Sequence, residues 1–198
     1  MSVFTATRPL RRVGQVPTQT LGGAAWLRPL LYGETEPLQA VFDGMSLESR
    51  YARYFQGVSA LTPAMTSALT AVDGVDHVAW LASVRGRSVG IARYVTVAAG
   101  TAEVAFEVAD EFHGLGLGAA LLDTITTVAA ASGISNLQAL VLGSNHGSRR
   151  LLAQVGLRLV SQSDGMLEAD GPFHVMERAR VDRAEVLRLA FAAPPLAA

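Results

Sequence analysis

The sequence contains no cysteine and no lysine. Without Cys there are no disulfides, no thiolate metal sites and no cysteine nucleophile, and the redox compartment is not legible. Without Lys, all 16 basic residues are arginines. Together with the abundance of Ala and Gly, this is the composition of a high-GC bacterial gene. The arginines are spread along the chain and the net charge is −1. A duplex-DNA binder concentrates basic side chains against the phosphates, so no nucleic-acid partner is expected. No apolar run reaches the roughly 18–20 residues of a spanning helix. The early arginines Arg8, Arg11 and Arg12 are not followed by the apolar core of a signal peptide. No membrane partner is expected, and the sequence reads as a soluble, cytoplasmic protein. What is present is apolar material: 50% of the 198 residues are hydrophobic, enough for the core of one domain with a terminal extension.

Residues 1–23, with Pro9, Gly14, Pro17 and Gly22-Gly23, read as an irregular N-terminal arm. A domain over 24–180 follows. Its first strand is expected near 24–31, with Pro29 marking an edge or an end. Leu38, Val41, Phe42 and Met45 recur at helical spacing within 34–56, and Ser46 is placed to cap a second helix through Phe55. Thr62-Pro63 opens a third helix over 63–71. Strands are then expected at 76–84, 88–98 and 101–109, joined by Gly-containing turns as an antiparallel meander. A helix over 116–132, a strand at 137–142, a helix at 148–155 and strands near 157–163 and 171–179 complete the domain. An amphipathic stretch over 183–191 forms a C-terminal helical tail within 181–198. The fold class is mixed α/β around a single sheet.

The segment with chemical content runs from Glu103 to Ala119. Alternation puts Val104, Phe106 and Val108 on one face of its strand and Glu103, Ala105, Glu107 and Ala109 on the other. Two carboxylates on a face otherwise made of alanine leave an open, acidic surface. The strand runs into His113-Gly114-Leu115-Gly116-Leu117-Gly118. Alternate glycines leave the backbone uncovered, and the helix that follows offers free N–H groups and the positive end of its dipole. That is an anion site suited to a phosphate or diphosphate. No Lys-Ser/Thr pair follows, so it is not a P-loop. The preceding meander and the glycine spacing do not make a dinucleotide fingerprint. A turn that merely packs a helix tightly on a sheet has the same spacing.

Residues 101–119 resemble motif A of the GNAT superfamily of N-acetyltransferases, Gln/Arg-x-x-Gly-x-Gly/Ala. Gly116 and Gly118 match; His113 stands in the first position and Leu115 where Arg is common. Residues 141–160, with Leu142-Gly143-Ser144-Asn145 and Gly156-Leu157-Arg158-Leu159, are similar to motif B. Residues 44–55 and 102–110 resemble bacterial Pat-type protein-lysine acetyltransferases. The resemblance covers about residues 25–180. It implies the GNAT fold, a mostly antiparallel twisted sheet of about seven strands flanked by helices. It implies acetyl-CoA as co-substrate, held by main chain near Val108, by the turn from His113 to Ala119, and by Asn145. It also implies an N-acetyltransferase in which an amine attacks the thioester directly.

A lysine ammonium lies about 3.4 units above pH 7, so deprotonating it costs roughly 4.6 kcal/mol, and a carboxylate is a suitable base. Glu103 matches the glutamate base of the Pat-like enzymes, and Glu107 is the reserve. The two are separated by roughly 13 Å of strand, too far for a dyad. A rim carboxylate, solvated or paired with Arg, is the bland alternative for either. Many small-molecule members carry a general-acid Tyr at the position of Leu152; here the leaving thiolate takes its proton from solvent or from another group. His113 and His146 read as loop histidines. His77 and His174 lack a second ligand at metal spacing, so no metal is expected. The acceptor is expected to be a protein lysine, with a small amine or aminoglycoside as the alternative. A GNAT-shaped acyl-CoA sensor without turnover is the reading from another functional class. The arm 1–23 and the tail 183–198 are candidate homodimer elements.

Overall fold

The computed structural model describes residues 14–20 and 24–192. Within them an eight-stranded sheet runs in the order β1-β2-β3-β4-β5-β6-β8-β7. β1 (Val16–Pro17), β2 (Ala25–Pro29), β3 (His77–Val84), β4 (Arg87–Ala98) and β5 (Thr101–Val108) form an antiparallel run. β5 meets β6 (Asn136–Leu142) in parallel, and β8 (Met166–Pro172) and β7 (Leu159–Ser161) extend the far side antiparallel.

Helices cover both faces. On one lie α1 (Thr35–Asp43), α2 (Leu47–Tyr54) and α3 (Pro63–Thr70). Ser46 Oγ accepts the Ser49 N–H at 3.2 Å and Thr62 Oγ1 accepts the Met65 N–H at 3.2 Å; these are the expected N-caps. Leu38 and Val41 of α1 pack with Leu81 and Ile91 in a small core. The other face carries α4 (Leu117–Ala131), with α6 (Arg183–Ala190) against it, and the larger core around Trp80, Tyr94, Leu121 and Ile125. α4 is buried nearly all round, as a helix between a sheet and another helix must be. Its threonines satisfy their hydroxyls on the preceding turn: Thr124 Oγ1 donates to Ala120 O at 2.8 Å and Thr127 Oγ1 to Asp123 O at 2.6 Å. α5 (His146–Ala153) begins two residues before the expected start, because Asn145 caps it.

Two expectations need correction. The strand placed at 171–179 is β8 and ends at Pro172; His174 is exposed outside it. The sequence carried the cue. Asp164 and Gly165 adopt φ of 64° and 75°, and Asp-Gly is a hairpin signal. That turn joins β7 to β8, and β8 pairs with β6 from Asn136↔Pro172 to Leu142↔Met166. The sheet also gains a strand inside the expected arm. Val16 and Pro17 pair with Leu27 and Trp26, and Pro17 is tolerated because this is a sheet edge. The rest of the expected arm, 1–13 and 21–23, lies outside the described residues.

Candidate active site

The site arises where the sheet changes direction. β5 and β6 pair only at Thr101↔Asn136, Ala102↔Leu137 and Glu103↔Gln138. β5 nevertheless stays on β4 to Val108, and β6 stays on β8 to Leu142. Beyond Glu103 the two parallel strands therefore part. Ala109 N–H donates to Val89 O at 2.8 Å. The C=O and N–H of one trans peptide point opposite ways, so the Val108 carbonyl faces away from β4, into the opening. By alternation the main-chain groups of Phe106 and Val104 face the same way. A cavity of about 1020 Å³ fills this opening, with α2 along one flank, the loop after β6 along the other and the start of α4 at one end. A separate groove of about 700 Å³ beside α1 and α3 is lined by one carboxylate, Glu36, and otherwise by uncharged residues.

The glycine-rich turn builds the α4 end. A 3₁₀ turn (Asp110–Phe112) leads to Gly114 at φ 73° and Gly116 at φ 88°. A side chain disfavours such values, and at Gly116 a Cβ would also lie 2.9 Å from Thr20 Cγ2. Gly116 is the N-cap of α4, and no described side chain caps that helix. Its first N–H groups, through Ala119, consequently open into the cavity as donors without intrahelical partners. His113 folds back so that its Nε2 meets Val108 O at 2.8 Å. It thus covers the carbonyl that the parting of the strands exposes.

The two glutamates have opposite surroundings. Glu103 is exposed and lines the cavity at the point where the strands separate. Glu107, four residues on, is buried with its side chain 2% exposed. Arg53 Nε of α2 donates to its Oε2, and Arg93 NH2 of β4 lies 3.4 Å from its Oε1. Burial pushes the Glu107 carboxyl up, but the two guanidinium groups outweigh this and hold it below its ordinary value. Arg53 is raised: burial opposes its charge, and Glu107 more than compensates. Burial and Glu107 push the neighbouring Tyr54 phenol up to about 12. A carboxylate held by two cations is a poor proton acceptor. Both glutamates border the cavity, Glu103 exposed and Glu107 locked between two arginines.

On the opposite flank, Asn145 Oδ1 accepts the Ser148 N–H at 3.0 Å and caps α5. Leu152 is 2% exposed, so the position of the family's tyrosine is an apolar core contact. His146 Nδ1 sits 3.4 Å from Arg149 NH1. Among the described residues no three His, Cys, Asp or Glu side chains converge as metal ligands. Sequence reasoning missed Arg53, Arg93 and Arg180. Arg53 and Arg93 face Glu107 from 54 and 14 residues away. Arg180 lines the cavity from just past the stretch expected as the last strand, 171–179.

The acetyltransferase (GNAT) family matches residues 46–157, more than half of the chain. Acetyltransferase Pat of Mycolicibacterium smegmatis is 33% identical over 164 residues, covering 79% of this chain and 49% of its own length. The chain thus spans about half the length of that relative. Acetyltransferase PA5475 of Pseudomonas aeruginosa is 29% identical over 143 residues, 70% of this chain and 76% of its own. The crystal structure of the GNAT domain of S. lividans PAT superposes with a TM-score of 0.72 at 29% identity, covering 81% of this chain and 96% of that one. With the parted β5 and β6, the glycine turn and the uncapped α4 between them, the chain belongs to the GNAT family, acetyltransferases whose co-substrate is acetyl-CoA.

Proposed function

We propose that the protein is an N-acetyltransferase that transfers the acetyl group of acetyl-CoA to a protein lysine, with Glu103 as general base. The observation that carries this reading is one cavity with an uncapped helix N-terminus at one end and an exposed glutamate at the other. The chain's own groups fit the coenzyme. The N–H groups from Gly116 to Ala119 suit a diphosphate. The outward main chain of β5 suits the amides of a pantetheine arm. The amide of Asn145 faces the same cavity from across the gap. Bound there, acetyl-CoA supplies a thioester as the acyl donor.

The acceptor amine arrives as an ammonium and must lose a proton before it attacks, at a cost of roughly 4.6 kcal/mol at pH 7. Glu103 accepts that proton. Arg53 of α2 spends its Nε on Glu107 rather than on Glu103. The mouth supports a protein acceptor. α2 presents Leu47 and Tyr51, 70% and 50% exposed, in line at i and i+4 beside Glu48. Apolar and acidic groups side by side suit a chain carrying a basic residue.

Two measurements test the reading. Glu103→Gln is expected to lower kcat roughly 10²–10⁴-fold while acetyl-CoA affinity stays within about twofold of the wild type. Unchanged turnover would remove Glu103 from the mechanism. Lysine-containing peptides compared with small amines, aminoglycosides included, test the acceptor. Turnover confined to the small amines would refute the protein acceptor, and acetyl-CoA binding without thiol release on any amine would make the domain a sensor. The absence of lysine from this chain simplifies the readout by mass, because any acetyl-lysine belongs to the acceptor.

A further inference from the structure

We infer that Arg180, which lies beyond the family match, is a ligand of the coenzyme's diphosphate and supplies the cation that the glycine turn lacks; this rests on the proposed acyl-CoA site. The turn itself is poor in positive charge. Residues 110–118 contain Asp110 and Glu111 and no arginine, and Glu111 already pairs with Arg87 at 2.6 Å. The partial charges at a helix N-terminus are about half an elementary charge, less than the two charges of a diphosphate.

Arg180 is placed to make up the difference. Its main chain is pinned on both sides. The Arg180 N–H donates to Asp123 Oδ2 of α4 at 2.7 Å, and its carbonyl accepts the Gln19 N–H at 3.0 Å. Thr18 bridges to Val181 beside it, and Thr20 packs on Gly116. Residue 180 therefore sits against α4, with the turn of Gly116 close by. Residue 180 lines the same cavity as Gly116, Leu117 and Gly118.

Among the described residues the Arg180 guanidinium makes no hydrogen bond or ion pair, and its Nε is buried. The carboxylate nearest its backbone is taken: Asp123 Oδ1 accepts from Arg183 Nε at 2.9 Å and from its NH2 at 2.5 Å. A partly buried arginine with no counter-ion among the described residues, bordering a cavity beside an uncapped helix start, is complementary to a planar pair of phosphate oxygens.

The test is calorimetry on the full chain with CoA, 3′-dephospho-CoA and pantetheine, for the wild type, Arg180→Met and Arg180→Lys, with urea midpoints as the folding control. Arg180→Met is expected to weaken CoA and 3′-dephospho-CoA equally, by roughly 10- to 100-fold. Pantetheine binding and the urea midpoint should be unchanged, and Arg180→Lys should recover part of the loss. Unchanged CoA affinity in Arg180→Met would overturn the inference. So would an equal loss for pantetheine, which would mean that Arg180 shapes the cavity. A loss for CoA that spares 3′-dephospho-CoA would place the contact on the 3′-phosphate and overturn the diphosphate assignment. Wild-type protein that binds no CoA would instead overturn the proposed function, and this inference with it.

Discussion

Replacing Glu107 by Gln tests whether the second glutamate holds the structure rather than serving the chemistry. The substitution keeps the shape and removes the charge. Arg93 is then left with its side chain 4% exposed, its Nε already without a partner among the described residues, and Arg53 still beside it. Breaking a buried ion pair from one side costs about 3–5 kcal/mol, because the remaining charge is stranded. A domain of this size has a total stability of roughly 5–15 kcal/mol. The expected fall in Tm is roughly 6–20 °C, with a proportionate loss of urea stability at pH 7. Acid supplies an independent check. The folded Glu107 carboxyl titrates below its ordinary value of 4.5. Its contribution is therefore complete above the unfolded pKa and is lost as pH falls through the folded one. The wild type should lose this increment below about pH 4.5, and Glu107→Gln should show a shallower acid limb because the increment is already gone. Turnover measured well below Tm should fall far less than in Glu103→Gln. A stability change under about 1 kcal/mol, together with a large loss of kcat, would refute the buried-pair account and make Glu107 the base.

Three further outcomes follow from the same geometry. Asp123→Asn removes the fully buried carboxylate that holds Arg183 and the Arg180 N–H; urea unfolding should show a loss of about 3 kcal/mol or more, and CoA affinity should fall as Arg180 loses its support. Gly116→Ala forces a Cβ onto a residue at φ 88°, 2.9 Å from Thr20 Cγ2; thermal unfolding should report about 1–2 kcal/mol, and acetyl-CoA should bind more weakly. His113→Ala uncovers the Val108 carbonyl; acetyl-CoA affinity should rise by up to about tenfold, and a fall would show that the imidazole itself contacts the coenzyme.

The parts of the site legible in the sequence are those set by local rules. Alternation along 101–108 placed Glu103 and Glu107 on one side, and both border one cavity. The alternate glycines marked an uncovered turn, which the structure builds with Gly114 and Gly116 at positive φ, and Thr62 and Ser46 marked helix starts. What stayed hidden depends on distant partners. Nothing in the sequence around Glu103 says that β6 pairs with only the first residues of β5 and then leaves it. The same alternation that aligned the two glutamates could not separate them. Burial and the facing arginines divide an exposed Glu103 from a charge-locked Glu107. The Asp164-Gly165 turn is a local signal that starts the last strand at Met166, so the residues after Pro172 instead lead to Arg180.

That displaced segment also changes what closes the domain. Residues 176–183 hang on one buried carboxylate: Asp123 takes Arg180 N–H and the Arg183 guanidinium, while Arg183 NH2 also donates to Met176 O. α6 follows at once, with Asp182 capping it and Val186 fully buried against the core. The helix whose N-terminus we propose for the coenzyme is therefore also the helix on which the C-terminal segment is built. On that proposal, binding and stability couple through α4. Acetyl-CoA that binds only the folded state adds about 2.7 kcal/mol at a hundredfold excess over its Kd. If Arg180 contacts the ligand, CoA should also slow hydrogen exchange in α6, which does not border the cavity. Arg180→Met should abolish that remote protection while the protection of the glycine turn persists, and equal protection of α6 in both proteins would break the link.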